Sequence, residues 1–361
     1  MTVAPAGTGP FTAFELPDDR SAAEPPEARG LARDEVRLLV AEPDRLTHGR
    51  FRDLGRFLRA GDLVVVNTSA TLPAALDGTR SGRRPVTVHL STPAEDGTWV
   101  VELRLPDRSG PVPDGVAGER VALAGGASLT LLAAYPDPAV PAGSRLWRGE
   151  LTGTAAGVQR HLAAYGRPIA YGYLRGRWPL PAYQPVFARE PGSAEMASAG
   201  RPFTDRLVTD LVTRGVMIAP VLLHTGVSSL EASERPQPER FRVPAATARL
   251  VAHARRWGGR VVAVGTTVTR ALETVADENG VVSPGQGWTD VVLGPDRPAR
   301  VVDGLVTGWH APEASHLLLL EAVAGPELVG RAYREALRAG YRWHEFGDSC
   351  LLLPPPPSRA G

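Results

Sequence analysis

No lysine occurs anywhere in the 361 residues, so all 40 side chains in the lysine-plus-arginine count are arginine. That excludes a lysine Schiff base and a P-loop lysine, and with them two large enzyme classes. Cysteine is almost as scarce. Cys350 stands alone, so no internal disulfide can form, which suits a reducing compartment. Within SCLLLP it reads as a small buried apolar residue rather than a nucleophile. Long apolar runs are missing too. LVVV at 63–66 and the stretch 316–325 fall well short of membrane-spanning length. MTVAPAGTGPF lacks the basic start and apolar stretch of a secretory signal. These absences lead us to expect a soluble, cytoplasmic monomer with no membrane partner.

An excess of either charge is also lacking: 40 basic residues face 39 acidic ones, for a net +1. Global charge therefore offers no support for a nucleic-acid partner, although a local patch stays possible. A metal site is not expected. The eight histidines show no HExxH or Cys/His spacing. Neither GxGxxG at the head of a βα unit nor GxSxG occurs, which removes the usual signs of dinucleotide binding and serine hydrolysis.

Hydrophobic residues make up 43% and charged residues 22%, the proportions of an ordinary globular protein. VRLLVA (36–41) and LVVVNTSA (63–70) predict strands, with a helix over 50–62 between them. From about 73 to 155 the texture becomes short strands parted by Gly/Pro/Asp turns: VTVHL, WVVELRL, RVALA, SLTLLAAY and RLWRGEL. That pattern predicts a small inserted β-barrel or sandwich. Helical character returns at GVQRHLAAYG (157–166). Strand and helix then alternate to residue 353, which implies a mixed sheet covered by helices. The fold expected is an α/β main domain in two segments, 1–72 and 156–353, carrying an all-β barrel-like insert at 73–155. PPPPSRAG (354–361) reads as a disordered tail.

Chemistry-bearing residues gather at strand ends. In GRVVAVGTTVTRALE (259–273) a buried strand ends at Gly265, Thr266 and Thr267, and a helix carrying Arg270 and Glu273 follows. Free N–H groups at a helix start bind anions, threonine hydroxyls add donors, and glycine permits close approach. A capped helix after a tight turn is the equal alternative. His224 closes VMIAPVLLH and His310 closes another strand in TGWHAP. Either could act as acid or base, or simply meet solvent. The arginine clusters RSGRR (80–84) and HARRWGGR (253–260) could touch phosphate but read first as solvated faces. GRPIAYGYLRGRWPLPAYQ (166–184), just after Tyr165, combines Tyr171, Tyr173, Trp178 and Tyr183 with arginines. It could stack a nucleobase or pack as a proline-rich loop.

Together these strings resemble the S-adenosylmethionine:tRNA ribosyltransferase-isomerases of queuosine synthesis. The likeness runs from FELPDD at 14–19 to FGDSCLLL at 346–353. It is densest in GRVVAVGTTVTRALE, GWTDVVLGPDRPARVVDGLVTGWHAP (287–312) and AYREALRAGYRWHEFGD (332–348). YQPVFA, AGRPFT and LLHTG follow in family order.

The resemblance implies an α/β domain with an inserted all-β domain. It also implies S-adenosylmethionine as ribosyl donor and, as acceptor, the aminomethyl group of a deazaguanine in tRNA. The product would be epoxyqueuosine, with adenine and methionine released. The sulfonium would make the neighbouring C5′ protons acidic, so the site needs a base and donors for a carboxylate. By the same resemblance Gly265, Thr266, Thr267, Arg270, Glu273, Phe203 and Asp348 are expected to bind the co-substrate. His224, His310 and Thr204 are expected to be catalytic, with no metal.

Departures from the family pattern cluster at its motifs. NTSATLPAAL (67–76) has lost an aspartate and two arginines, and ASAGRPFT has lost a histidine at Arg201-Pro202. Ser228-Ser229-Leu230 replaces glycine-threonine-phenylalanine, ERPQPERFRV (234–243) carries no histidine, and Ala314-Ser315 replaces serine-threonine. These changes raise two alternatives: an enzyme using S-adenosylmethionine or a related adenosyl sulfonium on a small molecule, and a non-catalytic binding protein.

Overall fold

The computed structural model describes residues 10–139, 144–154, 157–227, 237–312 and 314–355. The N-terminal start, Ser228-Ser229-Leu230, the beginning of ERPQPERFRV and the last six residues of the tail lie outside them.

The chain enters the main sheet through β1 (Arg37–Glu42) and turns back along β2 (Arg45–Arg50). Arg37 pairs with Arg50 and Glu42 with Arg45 in an antiparallel ladder. Here the expected helix over 50–62 fails. Only a short 3-10 segment, Phe51–Arg56, forms, burying Phe51 and Leu54. Gly55 within it is poor in helix, and a Cβ there would stand 3.0 Å from an Asp210 carboxylate oxygen. β3 (Leu63–Asn67) is buried throughout, as its unbroken apolar run requires of a strand covered on both faces. β4 (Ser69–Thr71) follows it.

The inserted module comprises β5 (Ala75–Arg80), β6 (Arg84–Pro93), β7 (Trp99–Arg104), β8 (Arg120–Leu123), β9 (Ser128–Tyr135) and β10 (Leu146–Thr152). They close into an antiparallel barrel in the order β10-β7-β6-β5-β8-β9. β5 escaped the sequence reading because Asp77, Gly78 and Thr79 interrupt its apolar pattern. Gly78 is required there, since a Cβ would meet Val121 at 2.7 Å. The barrel core packs Leu76, Val88, Leu103, Leu129 and Trp147. Arg80, first read as solvent-facing, is buried and ion-paired with Asp114 and Glu119.

After α1 (Val158–Tyr165) the chain returns to the main domain through β11 (Glu190–Ser193), which pairs in parallel with β4. There follow α2 (Asp205–Thr213), β12 (Met217–Leu223), β13 (Glu239–Val243), α3 (Ala245–Arg256), β14 (Val261–Val264) and α4 (Thr266–Thr274). β15 (Gly285–Thr289), β16 (Gly304–Gly308), α5 (Ser315–Ala324), α6 (Pro326–Arg338) and β17 (Ser349–Leu352) complete it. The nine-stranded sheet runs β15-β13-β12-β3-β14-β16-β17-β1-β2, with helices and apolar side chains on both faces.

β12, β3, β14 and β16 are mutually parallel neighbours, so their carboxyl ends emerge on one edge. From β3 the chain next joins the main sheet on one side at β12, then crosses to the other side at β14. The gap between β3 and β14 is therefore a topological switch point, where α/β sheets place ligands. Asn67 braces it. Its amide donates to Leu223 O (2.8 Å) and Thr267 Oγ1 (3.3 Å), while its oxygen accepts from the N–H groups of Ser69 and Leu223. Among the described residues no helix is long and apolar enough to cross a membrane.

Candidate active site

A cavity of about 390 Å³ opens over this switch point, between the strand ends, the β11–α2 loop and the segment leaving the barrel. Its floor is the β14–α4 turn. Gly265 holds φ +91° and ψ 162°, a region essentially closed to other residues, and a Cβ there would press on Ala199 at 3.3 Å. No side chain caps α4. Its first N–H groups therefore have no side-chain cap, and Thr266 and Thr267 also line the space. The turn is tight, as the sequence suggests, but the helix is uncapped and its start borders the cavity.

Arg270 lies one turn further along α4. Its guanidinium forms a buried ion pair with Glu239 and donates to the carbonyls of Thr289 and Val291, both at 3.3 Å. Glu239 also accepts the Gly226 N–H at 3.0 Å, and burial pushes its pKa upward against the pull of Arg270. The pair ties β13 to α4 at the cavity wall.

His310 borders the cavity from the end of β16. Its main chain is pinned on both sides: the N–H donates to Tyr333 Oη (3.2 Å), and the carbonyl accepts Trp343 Nε1 (2.9 Å). The ring stacks on His316, with centroids 4.6 Å apart and planes 1° from parallel, and its Nε2 meets Thr307 Oγ1 at 3.1 Å. Burial, then the neighbouring His316 and His344, hold His310 well below the usual histidine range. Burial takes His316 to about 4 and His344 likewise. All three rings are neutral at pH 7.

The opposite wall comes from the segment after the barrel. Tyr171 and Tyr173 lie with ring centroids 6.2 Å apart, and Tyr173 stacks on His344 at 4.2 Å and 15°. Each tyrosine hydroxyl donates to a carboxylate, Tyr171 to Glu195 and Tyr173 to Glu345. Tyr183 lines the same cavity, whereas Tyr165 is half-exposed beside Gly125, and Trp178 packs against the Tyr183–Phe346 cluster without lining the cavity. Glu195, His316, His344 and Glu345 were not singled out from sequence. They are isolated ionisable residues on loops or at a helix start, without a periodic signal, and topology alone brings them together.

Five expected site residues stand elsewhere. His224 does not line the cavity. Its Nδ1 meets Ser69 Oγ at 2.7 Å, and Gly192 packs so closely that a Cβ would lie 2.4 Å from the ring. Burial and then Arg240 lower its pKa. Phe203 is fully buried between Phe51 and Phe187, an apolar filler of the sheet's second face. Thr204 caps α2, accepting from the Leu207 N–H at 3.2 Å and donating to Asp34. Glu273 turns away from the cavity and accepts the N–H groups of Arg300, Val301 and Val302. Asp348 accepts those of Arg37 and Arg342 (2.8 and 2.9 Å), stapling the loop that presents His344 and Glu345. All five are engaged in contacts within the fold and none lines the cavity.

A helix cap and a catalytic hydroxyl fail differently. Thr204→Ala is expected to cost about 1 kcal/mol in urea unfolding while kcat stays within twofold of wild type. A large loss of kcat at unchanged stability would restore the catalytic role.

The family described as "Queuosine biosynthesis protein" matches residues 11–352. The chain belongs to that family. Among its relatives, the S-adenosylmethionine:tRNA ribosyltransferase-isomerase of Moorella thermoacetica is 36% identical, across 94% of this chain and 98% of that protein. The enzyme of the same name from Heliobacterium modesticaldum is 37% identical with the same coverage. The crystal structure of S-adenosylmethionine tRNA ribosyltransferase from Thermotoga maritima superposes with a TM-score of 0.51 at 29% identity. It covers 95% of this chain and 99% of that one. The mixed sheet with its closed six-stranded barrel is thus the family fold. Arg201, where a family histidine was expected, is buried, paired with Glu27 at 2.8 Å and set over the Phe346 ring. It locks the loop before α2 without entering the cavity. Among the described residues no cluster of three metal-binding side chains occurs.

Proposed function

We propose that the chain is an S-adenosylmethionine:tRNA ribosyltransferase-isomerase, that S-adenosylmethionine binds over the β14–α4 turn, and that a tRNA base enters from the tyrosine wall. The uncapped start of α4, opening at a glycine onto a 390 Å³ cavity, carries this reading. An amino-acid carboxylate is the kind of anion that such a helix start and two threonine hydroxyls receive. S-adenosylmethionine supplies the ribosyl carbon skeleton and, through its sulfonium, the activation of that skeleton.

The protein's own groups supply the rest. Gly265 lets the substrate approach the backbone. The Arg270–Glu239 pair fixes the β13 side of the cavity, and the neutral His310–His316 stack gives a wall that donates and accepts without repelling a cation. Stacked tyrosines suit a planar base, whose aromatic face gains by contact with ring systems. Catalysis then rests on orientation and on proton transfers within the cavity.

Incubating the protein with S-adenosylmethionine and tRNA bearing 7-aminomethyl-7-deazaguanine should release adenine and methionine and convert the tRNA to its epoxyqueuosine form, read by mass spectrometry. Adenine release that does not need tRNA would move the acceptor to a small molecule. Binding of S-adenosylmethionine with no products under either condition would leave a binding protein.

A further inference from the structure

Of the ionisable side chains lining the cavity, most are already committed. Glu239 is neutralised by Arg270 and receives the Gly226 N–H. His310, His316 and His344 are neutral and too weakly basic to hold a proton near pH 7. The other two acids, Glu195 and Glu345, accept the hydroxyls of Tyr171 and Tyr173 on the tyrosine wall opposite the α4 turn.

The setting of Glu345 is unusual in three ways. Its loop is forced into place: His344 before it takes φ +70°, a left-handed conformation rare for a residue with a Cβ. Gly347 after it has no room for a side chain, since a Cβ would lie 2.4 Å from the Arg342 carbonyl. Strain of this sort concentrates where a side chain must be aimed. Second, the carboxyl is held by the Tyr173 hydroxyl, whose ring is itself clamped by His344 stacking. Third, the protein around it is apolar enough that burial, with Glu195 adding like-charge repulsion, lifts its pKa to about 7.

We propose that Glu345, positioned by Tyr173, is the general base that takes a proton from the acceptor amine. This rests on the function proposed above, in which the acceptor presents a primary aminomethyl group. Such an amine is protonated in water and has no lone pair to offer. In the step assigned to Glu345, one N–H bond of the ammonium breaks and an O–H bond forms on the carboxylate. The electron pair stays on nitrogen, which becomes the nucleophile. A carboxyl whose pKa lies near the working pH is suited to this, because about half of it is ionised and that form is basic enough to accept the proton. The groups around it are Tyr173 and Tyr183 from the segment after the barrel, Glu195 and Arg201 from the β11–α2 loop, and His344 and Asp348 on its own loop. His310, His316 and the paired Arg270 stand across the cavity.

Two measurements on the full-length chain test this. In wild type, kcat should rise with pH to a plateau, with an acid limb near pH 7, since the base works only when ionised. Glu345→Gln should lower kcat about 100-fold and lose that limb, with S-adenosylmethionine affinity by calorimetry within threefold of wild type. Tyr173→Phe removes a hydrogen bond that favours the ionised form, so its limb should move to higher pH with a milder loss of rate. Independently of turnover, infrared difference spectra of the free protein should show a carboxyl titrating between pH 6 and 8 that is missing from Glu345→Gln.

Glu345→Gln retaining kcat within threefold of wild type, or the absence of that titrating carboxyl, would overturn the assignment. A wild-type protein that makes no product but shows the carboxyl titration would bring down the proposed function alone, with the titration standing in support of Glu345 as the proton-exchanging group of the cavity.

Discussion

Arg270→Met should lower the unfolding free energy by about 3–5 kcal/mol and abolish measurable S-adenosylmethionine binding. The guanidinium is the charge partner of Glu239, and both side chains are buried. Removing it leaves a carboxylate in a low-dielectric setting, where its pKa is already raised by burial. Two further carbonyls, those of Thr289 and Val291, lose their donor in the same change. Because an unpaired buried charge costs more than a missing pair, the double variant Arg270→Met with Glu239→Gln should recover much of the stability. Binding should not recover, since Arg270 lines the cavity itself. Urea unfolding and calorimetric titration separate the two effects. A single variant as stable as wild type would show that the pair does not hold the cavity wall.

Gly265→Ala is the second large effect, and it works through the backbone. At φ +91° and ψ 162° any Cβ is strained, at a cost of about 1–3 kcal/mol. Here it would also crowd Ala199. Relief comes by rotating the peptide that aims the first N–H groups of α4. S-adenosylmethionine affinity should fall at least tenfold, which needs only about 1.4 kcal/mol of lost interaction. Gly258→Ala is the control. Gly258 also has a positive φ, +73°, but nothing lies within 4 Å of the added carbon, and it stands outside the cavity lining. It should lose some stability and no affinity. Equal losses of affinity in both variants would mean that general destabilisation, and not the aim of the helix, weakens binding.

The sequence carried the architecture where periodicity was strong. LVVVN, VVAV and MIAPVLL are near-continuous apolar runs, the pattern of strands in a parallel sheet, and they became the parallel centre of the sheet. The short alternating strands between turn clusters became the barrel. Where the pattern was broken, as at Asp77-Gly78 in β5 or Gly55 after β2, sequence misread the element. In both places a glycine accommodates a tertiary neighbour that no local pattern records.

The site divided along the same line. Gly265, Thr266, Thr267, Arg270 and His310 were legible because a strand end and a helix start are local signals, and all five line the cavity. Thr204, Glu273 and Asp348 were expected from the family resemblance, and each accepts main-chain N–H groups outside the cavity. The tyrosine wall and Glu345 meet across 172 residues of chain, beyond the reach of spacing arguments.

The barrel's two attachment strands meet where they leave the main domain: Ala75 and Arg167 exchange both of their main-chain hydrogen bonds, each at 2.9 Å. Departure and return therefore lie side by side. Farther out the barrel is held again: Ser91 Oγ accepts the Val227 N–H (2.9 Å) and donates to Gln237 (3.1 Å), and Glu95 accepts from Trp288 Nε1 (3.2 Å). The insert is thus moored at its root and at its flank, and the second mooring, at Val227 and Gln237, is itself part of the cavity lining.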